Sequence, residues 1–325
     1  MRTFLIFLLL SCGLAAQDAA YLALHKGSSS VGFYARDGKL LATVPVGQHP
    51  HEMVFSADGK YLYTTDNGTM KIEQPGTGGN TISIVDVQAR KKVGEIPLGE
   101  YRRPHGIDID KKTGRLAVTT ELPDQLLLID PVKRTITKKY ATKGKTSHMV
   151  RLDPGGKWAY VSNSSSSNVA AINLDSTEVK LMETGTRPEG SVLSKTGKEL
   201  YVANREAASI TVIDTVKRQP IANISTGKGP VRVALTPDGN TLVYALMHER
   251  KVAFADPVAR RQTDYLLIPG EPVSCNVSRD GKLAFVSAEA ADTIYVISIA
   301  DKKIVGEIKT AKGAGPDPVF DITGR

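Results

Sequence analysis

The stretch Pro188-Glu189…Thr196-Gly197-Lys198-Glu199-Leu200-Tyr201-Val202-Ala203-Asn204, running on into Ser209-Ile210-Thr211-Val212-Ile213-Asp214, decides the fold. It reads as a Pro-x opening, an apolar strand, a turn ending in Gly, a second strand, and a third strand ending in Asp. The same sentence stands one unit earlier, as Ser147-His148…Gly155-Gly156-Lys157-Trp158-Ala159-Tyr160-Val161-Ser162-Asn163. The hairpin glycines Gly114, Gly156, Gly197, Gly239 and Gly281 follow one another at steps of 42, 41, 42 and 42 residues, and Gly59 precedes them by 55. Further third strands close on Asp in Ile82-Ser83-Ile84-Val85-Asp86 and Leu126-Leu127-Leu128-Ile129-Asp130. A period of this length with four short strands per unit is the mark of a β-propeller blade.

The 325 residues would by length alone predict two domains, but the repeat makes residues 17–325 one closed ring. Six inner-strand openings start near Pro50, Pro104, Ser147, Pro188, Pro230 and Pro272. A seventh blade is split between the ends of the chain. Gly315-Pro316-Asp317-Pro318-Val319-Phe320 supplies its first strand, and Tyr21–His25, Val31–Ala35 and Leu40–Val46 supply the other three. Closing one blade from both termini removes two sheet edges. The expected fold is therefore an all-β, seven-bladed propeller.

The repeated residues have structural reasons. Gly, Asp and Asn close the tight turn between first and second strands, where positive φ is needed. The Asp ending each third strand (Asp86, Asp130, Asp214, Asp256) caps the following turn through its side-chain oxygen. Tyr201-Val202-Ala203-Asn204, Tyr160-Val161-Ser162-Asn163 and Ser209-Ile210-Thr211-Val212-Ile213-Asp214, with the Pro237-Asp238-Gly239 turn, resemble the YVTN-type β-propeller repeat family across nearly all of residues 20–321. The resemblance implies the fold. Its implications for function spread widely. Similar propellers occur in exported binding proteins, cell-surface layer proteins, lactonases related to 6-phosphogluconolactonase, and nitrite and nitrous oxide reductases, so function must be argued from the site.

Residues 1–16 stand outside the repeat. Arg2 and the apolar run Phe4–Leu10, followed by Gly13-Leu14-Ala15-Ala16, read as a secretory signal, too short to span a bilayer. Leu9-Leu10-Ser11-Cys12 offers a second reading, a lipoprotein cleavage box that would leave an acylated Cys12 as anchor. Either way the expected location is outside the cytoplasm, periplasmic or extracellular. Removal of Cys12 leaves Cys275, in the first strand of blade six, as a small buried hydrophobe with no disulfide partner. No Cys-x-x-Cys-His occurs, which excludes covalent c-type haem. The net charge of +8 is spread over pairs such as Lys91-Lys92, Lys138-Lys139 and Arg260-Arg261 in different blades, mostly in the turn after the third strand. It reads as a solvated rim. Nucleic-acid or anionic-surface binding is a weaker alternative, since no aromatic ladder interleaves the basic residues.

Strand direction puts the Pro-x openings and the loops after second strands on one face. All six histidines fall there. His51, His105 and His148 follow the openings of blades one to three. His49 shares the loop of His51, and His25 and His248 end second strands. The channel-facing ring reads His51, His105, His148, Glu189, Val231, Val273, Asp317. His51, His105, His148, Glu189 and Asp317 are the candidate ligands for one transition metal, Zn, Cu, Mn or Fe. The competing reading makes Pro-His a copied motif residue that bonds backbone at the channel mouth. Arg102, Arg103, Arg187, Lys228, Arg232 and Arg205 surround the mouth with Asp66, Glu121 and Glu289. Arginines there suit a carboxylate or phosphate ligand. Arg103, Arg187, Arg232, Glu121, His248 and His25 are the candidate ligand-binding residues. Blade one alone inserts a long loop, Asn67 to Asn80, beside His51, placed to act as a lid. Ser164-Ser165-Ser166-Ser167 fills the equivalent loop of blade three as a flexible turn.

These features predict a monomeric, exported propeller that binds a small molecule or partner protein through the histidine face without catalysis. The alternative is a metal-dependent enzyme, a lactonase-like hydrolase or an oxidoreductase, in which a bound ion polarises a carbonyl or activates water. The second alternative is DNA or anionic-surface binding.

Overall fold

Twenty-eight strands form seven antiparallel four-stranded sheets in the computed structural model, which describes residues 18–323. The expected signal segment and Cys12 lie outside the described residues. Among the described residues there is no α-helix, and none that is long and apolar enough to cross a membrane.

Blade one runs outward from the channel as Pro50–Phe55, Tyr61–Asp66, Thr81–Asp86 and Lys91–Pro97. Five further blades repeat this order in sequence. The seventh has Pro316–Asp321 innermost, paired with Tyr21–His25, then Ser30–Tyr34 and Leu40–Pro45. Pairing of Tyr21 with Asp321 and Leu22 with Phe320 joins the two ends of the chain. The split blade then packs on both neighbours. Its Leu22, Leu24, Val31 and Phe33 meet Met53, Phe55, Leu62 and Val85 of blade one, and its Tyr21, Ala23, Tyr34 and Val319 meet Phe285 and Ile294 of blade six. Each such fully buried side chain contributes about 1.5–3 kcal/mol, so closure is held by two apolar seams as well as by strand pairing.

The turn chemistry follows the sequence. Gly59, Gly114, Gly156, Gly197, Gly239 and Gly281 all take φ between 69° and 83°. Asp86 accepts from the Ala89 N–H, and Asp130, Asp214 and Asp256 cap their own turns in the same way. Cys275 is buried in the inner strand Ser274–Val277, and burial pushes its thiol up to about 12. Ser164–Ser166 form a 3-10 turn, with Ser164 N–H donating to the Thr146 carbonyl at 2.9 Å. One local expectation is corrected: Lys91 and Lys92 open the outer strand Lys91–Pro97, Lys138 and Lys139 lie within Thr135–Ala141, and Arg261 starts Arg261–Leu267, so of these basic pairs only Arg260 lies in the turn before its outer strand.

Candidate site at the channel mouth

Inner strands do not pair evenly at the mouth. The register slips between Pro50 and Met53, Pro104 and Ile107, Ser147 and Val150, Pro188 and Ser191, and Pro230 and Arg232. A bulge re-aims the residues it contains. In these five blades those residues belong to the channel ring, which is why the position after the opening residue faces the axis. Hydroxyls on the second strands then fix the ring's backbone. Thr65 takes the Glu52 N–H at 3.1 Å and donates to the His105 carbonyl of the next blade at 2.7 Å. Thr119 takes the Gly106 N–H at 2.8 Å and donates to the His148 carbonyl at 2.7 Å. Ser287 donates to the Asp317 carbonyl at 2.8 Å. Glycine behind the ring residue lets blades approach closely: a Cβ on Gly106 would stand 2.6 Å from the His148 carbonyl oxygen.

The three ring histidines meet. His51 Nδ1 lies 2.8 Å from His105 Nε2, and the His105 and His148 rings stack with centroids 3.6 Å apart and planes at 37°. Burial first, and surrounding cations second, hold His51 and His148 well below the usual imidazole range; for His105 burial is followed by the neighbouring imidazoles. All three are therefore neutral. The Thr69 carbonyl can only accept, so His51 Nε2, 2.6 Å away, carries its proton. His51 Nδ1 is then an acceptor, and His105 Nε2 must be the donor between them. That leaves His105 Nδ1 a bare lone pair, buried and without a partner.

The ring does not supply its carboxylates to these imidazoles. Glu189 lies 3.0 Å from Arg205 and 3.6 Å from Arg187, and Asp317 lies 3.4 Å from Lys26. The carboxylate beside the histidines is Glu121, at the end of the second strand of blade two. Its Oε1 is 3.6 Å from His148 Nδ1 and its Oε2 is 2.9 Å from Arg103 Nε. Burial pushes Glu121 up to about 7 against the pull of Arg103. Ligand atoms of His105, Glu121 and His148 all lie within 4.8 Å of one another. The five-residue donor set expected from the ring is thus regrouped around Glu121, and His51 backs it from behind.

Arg103 does not face the channel. Its guanidinium donates to the carbonyls of Ile72 (2.8 Å), Lys71 (3.3 Å) and Gln74 (3.3 Å), which makes it the mast of the inserted loop. The loop crosses the mouth, and Glu73 contacts Arg187 and Arg205 of blade four, the latter at 3.1 Å. Arg232 reaches across the channel to Glu52 of blade one. Burial works against its charge, but Glu52, Asp317 and Glu189 outweigh it. Lys26 bonds Glu289 at 2.9 Å. Glu52 and Lys26 escaped the sequence reading. Glu52 occupies the same repeat position as Arg232, two residues after the proline, and two opposite charges at a repeat position that is otherwise uncharged were the available signal. His25 lies outside the chamber, its nitrogens bonded to Tyr34 (2.8 Å) and Ser30 (3.1 Å), and burial lowers it to about 4. His248 is exposed at the chamber rim.

Under the loop lies a chamber of about 360 Å³. One arc of its wall is polar, with His105, His148, Glu189 and Asp317. The opposite arc is apolar, with Val231 and Val273 of blades five and six, Met247 and Ala290, and Met70 and Ile72 of the loop complete it. The wall cations Lys26, Arg205 and Arg232 are ion-paired, as are Arg103 and Arg187 around them, while the exposed Lys71 of the loop also lines the chamber.

No family model matches the chain. It is 26% identical over 145 residues to a protein of Salmonella typhimurium called uncharacterized protein YncE, and to its Salmonella typhi counterpart; the match covers 43% of this chain and 41% of each relative. Among solved structures, a functionally unknown protein from Desulfotomaculum acetoxidans is similar over 93% of this chain and 98% of its own, with TM-score 0.76 and 16% identity. A chain of Kuenenia stuttgartiensis hydrazine synthase is similar over 90% and 99%, with TM-score 0.72 and 18% identity. The dihydro-heme d1 dehydrogenase NirN is similar over 94% and 75%, with TM-score 0.68 and 14% identity. Structural likeness at these identities carries the fold alone. Repeat, ring and solved structures agree: the chain is a seven-bladed β-propeller.

Proposed function

We propose that the protein is a binding propeller whose ligand is a small amphipathic molecule enclosed under the loop of residues 67–80. The ligand would lay an apolar flank on Val231, Val273 and Met247 and turn hydrogen-bond donors, an ammonium or hydroxyl groups, toward the polar arc. One observation carries this reading: the buried acceptors His105 Nδ1 and Asp317 Oδ1 of wall residues, and Glu121 Oε1 beside His105, have no hydrogen-bond partner, whereas the buried cations around them are ion-paired. Buried acceptors without donors are costly, and a donor-bearing ligand removes that cost. A chamber of this size and mixed lining suits a small organic molecule. The reading of residues 1–16 as a secretory signal supports binding outside the cytoplasm, which sequencing the N-terminus of the purified protein would check.

The test is native mass spectrometry and thermal shift with a panel of small amphipathic amines, alcohols and carboxylic acids of matched skeleton. Amines or alcohols should bind one per chain. A Val273→Arg variant, which fills the apolar arc, should fold and lose them. Tighter binding of the acids, or undiminished binding by the variant, would overturn the reading.

A further inference from the structure

We propose that His105 Nδ1, His148 Nδ1 and Glu121 Oε1 form a binding site for one divalent first-row transition-metal ion. The site rests on the chamber reading and refines it: the ion, not a donor of the organic ligand, takes His105 Nδ1 and Glu121 Oε1, and Asp317 Oδ1 is left to the ligand. Each of the three atoms is buried, and none has a hydrogen-bond partner. Two imidazole nitrogens and a carboxylate oxygen are a donor set for Zn2+, Fe2+, Co2+ or Cu2+, with further positions left open to the chamber.

Spacing and support both fit an ion. Tetrahedral ligands at about 2.1 Å from a metal stand about 3.4 Å apart, and the His148 Nδ1 to Glu121 Oε1 distance is 3.6 Å. That pair makes no normal hydrogen bond at that length. The outer contacts are those that orient metal ligands. His105 gives its Nε2 proton to His51, which in turn gives its own to the Thr69 carbonyl, and this relay presents the His105 lone pair inward. Arg103 takes Glu121 Oε2 and leaves Oε1 free. The stacked rings of His105 and His148 must fan apart for both lone pairs to converge, and the chamber beside them has room for that. Because Thr69 belongs to the inserted loop, the same loop that roofs the chamber also fixes the tautomer of a ligand.

The experiment strips the full mature chain with a chelator and titrates Co2+, followed by visible absorption, with Zn2+ in competition. One equivalent should bind, and Zn2+ should displace it. Glu121→Gln and His148→Phe should each weaken binding at least about 100-fold, and His51→Phe, which removes only the relay, about 10- to 100-fold. Asp280→Asn, an exposed carboxylate in the Gly281 turn, should leave binding unchanged. Circular dichroism and melting establish that each variant is folded; Glu121→Gln is isosteric and carries the test if His148→Phe is not. Absence of stoichiometric binding by the wild type, full binding by Glu121→Gln, or loss in Asp280→Asn would overturn the site. Repeating the organic panel on stripped protein in excess chelator separates the two readings: retained panel binding leaves the chamber standing whatever the metal does, and metal binding without any panel ligand leaves the metal site standing alone.

Discussion

Glu73, in the loop inserted into blade one, lies 3.1 Å from Arg205 of blade four, so a segment from one side of the ring is tied down on the other. The contact is half exposed at Glu73, whose side chain keeps 56% of its accessible surface. Exposed pairs are worth about 0–1 kcal/mol. Glu73→Gln should therefore leave the melting temperature nearly unchanged while freeing the loop. Trypsin cutting after Lys71 reads this directly, because the Lys71 carbonyl is held by Arg103 in the closed loop. Cleavage should speed several-fold in Glu73→Gln, and in the wild type at high salt. Arg103→Met should speed it more, since that change removes the carbonyl contacts and the Glu121 pair together. Equal cleavage rates in all three proteins would show that the loop is not latched by these groups.

The Arg232–Glu52 pair obeys different energetics. It is buried within the channel, where removing one partner strands the other charge in a medium that solvates it poorly. Arg232→Met should cost about 3–5 kcal/mol of stability. The double variant Arg232→Met/Glu52→Gln should recover much of that loss, because no buried charge is left alone. Chemical denaturation of the single and double variants measures the difference. A double variant as unstable as the single would mean that packing, not charge, sets the cost.

Thr119 predicts how far the ring depends on its backbone staples. Its hydroxyl serves the Gly106 N–H and the His148 carbonyl at once. Thr119→Val keeps the shape and strands both groups, at a cost of about 1–3 kcal/mol for each one left unsatisfied. The loss should exceed that of a surface Thr→Val such as Thr137→Val, and unfolding curves of the two variants decide it.

The fold was legible because it rests on local chemistry repeated in phase. Gly197 needs positive φ, Asp214 caps its turn, and Pro316 begins a strand that nothing else in the chain could complete. The ring was legible for the same reason: His51, His105 and His148 occupy one repeat position. Their partners were not. Glu121 ends a second strand, and its approach to His148 depends on how blades two and three lean together. Lys26 reaches Asp317 and Glu289 from a turn whose depth in the channel no spacing reveals. Arg103 looked like a ligand-binding residue, and its role as mast of the loop follows only from where the irregular segment 67–80 folds back. Contacts within a repeat are written in its period, while contacts across the ring and with an unrepeated insertion are not.

Asp66 gives a pH prediction that the repeat itself frames. It stands where blades three and four have Asn163 and Asn204, and all three side chains pack against a glycine, Gly47, Gly144 and Gly185, at which a Cβ would lie under 3.0 Å away. Asn204 donates to the hydroxyls of Ser209 and Thr211, whereas Asp66 accepts from those of Thr64, Thr81 and Ser83. Burial pushes Asp66 up to about 6 from 3.8, with those hydroxyls opposing. A raised carboxyl binds its proton more tightly in the folded state than in the unfolded one. Stability is then highest below the unfolded value and falls as pH rises through the window from about 4 to 6, by at most about 3 kcal/mol, and it stays at that lower level above it. Asp66→Asn does not titrate, and its amide can turn donors to the same hydroxyls as its counterparts do. The variant's advantage over the wild type should therefore be small at pH 4 and widen to its maximum by pH 7. Urea midpoints of the two proteins at pH 4, 5.5 and 7 test this. A gap that stays constant across the three would show that Asp66 is ionised in the folded protein throughout, and that its three hydroxyl donors fully offset the loss of water.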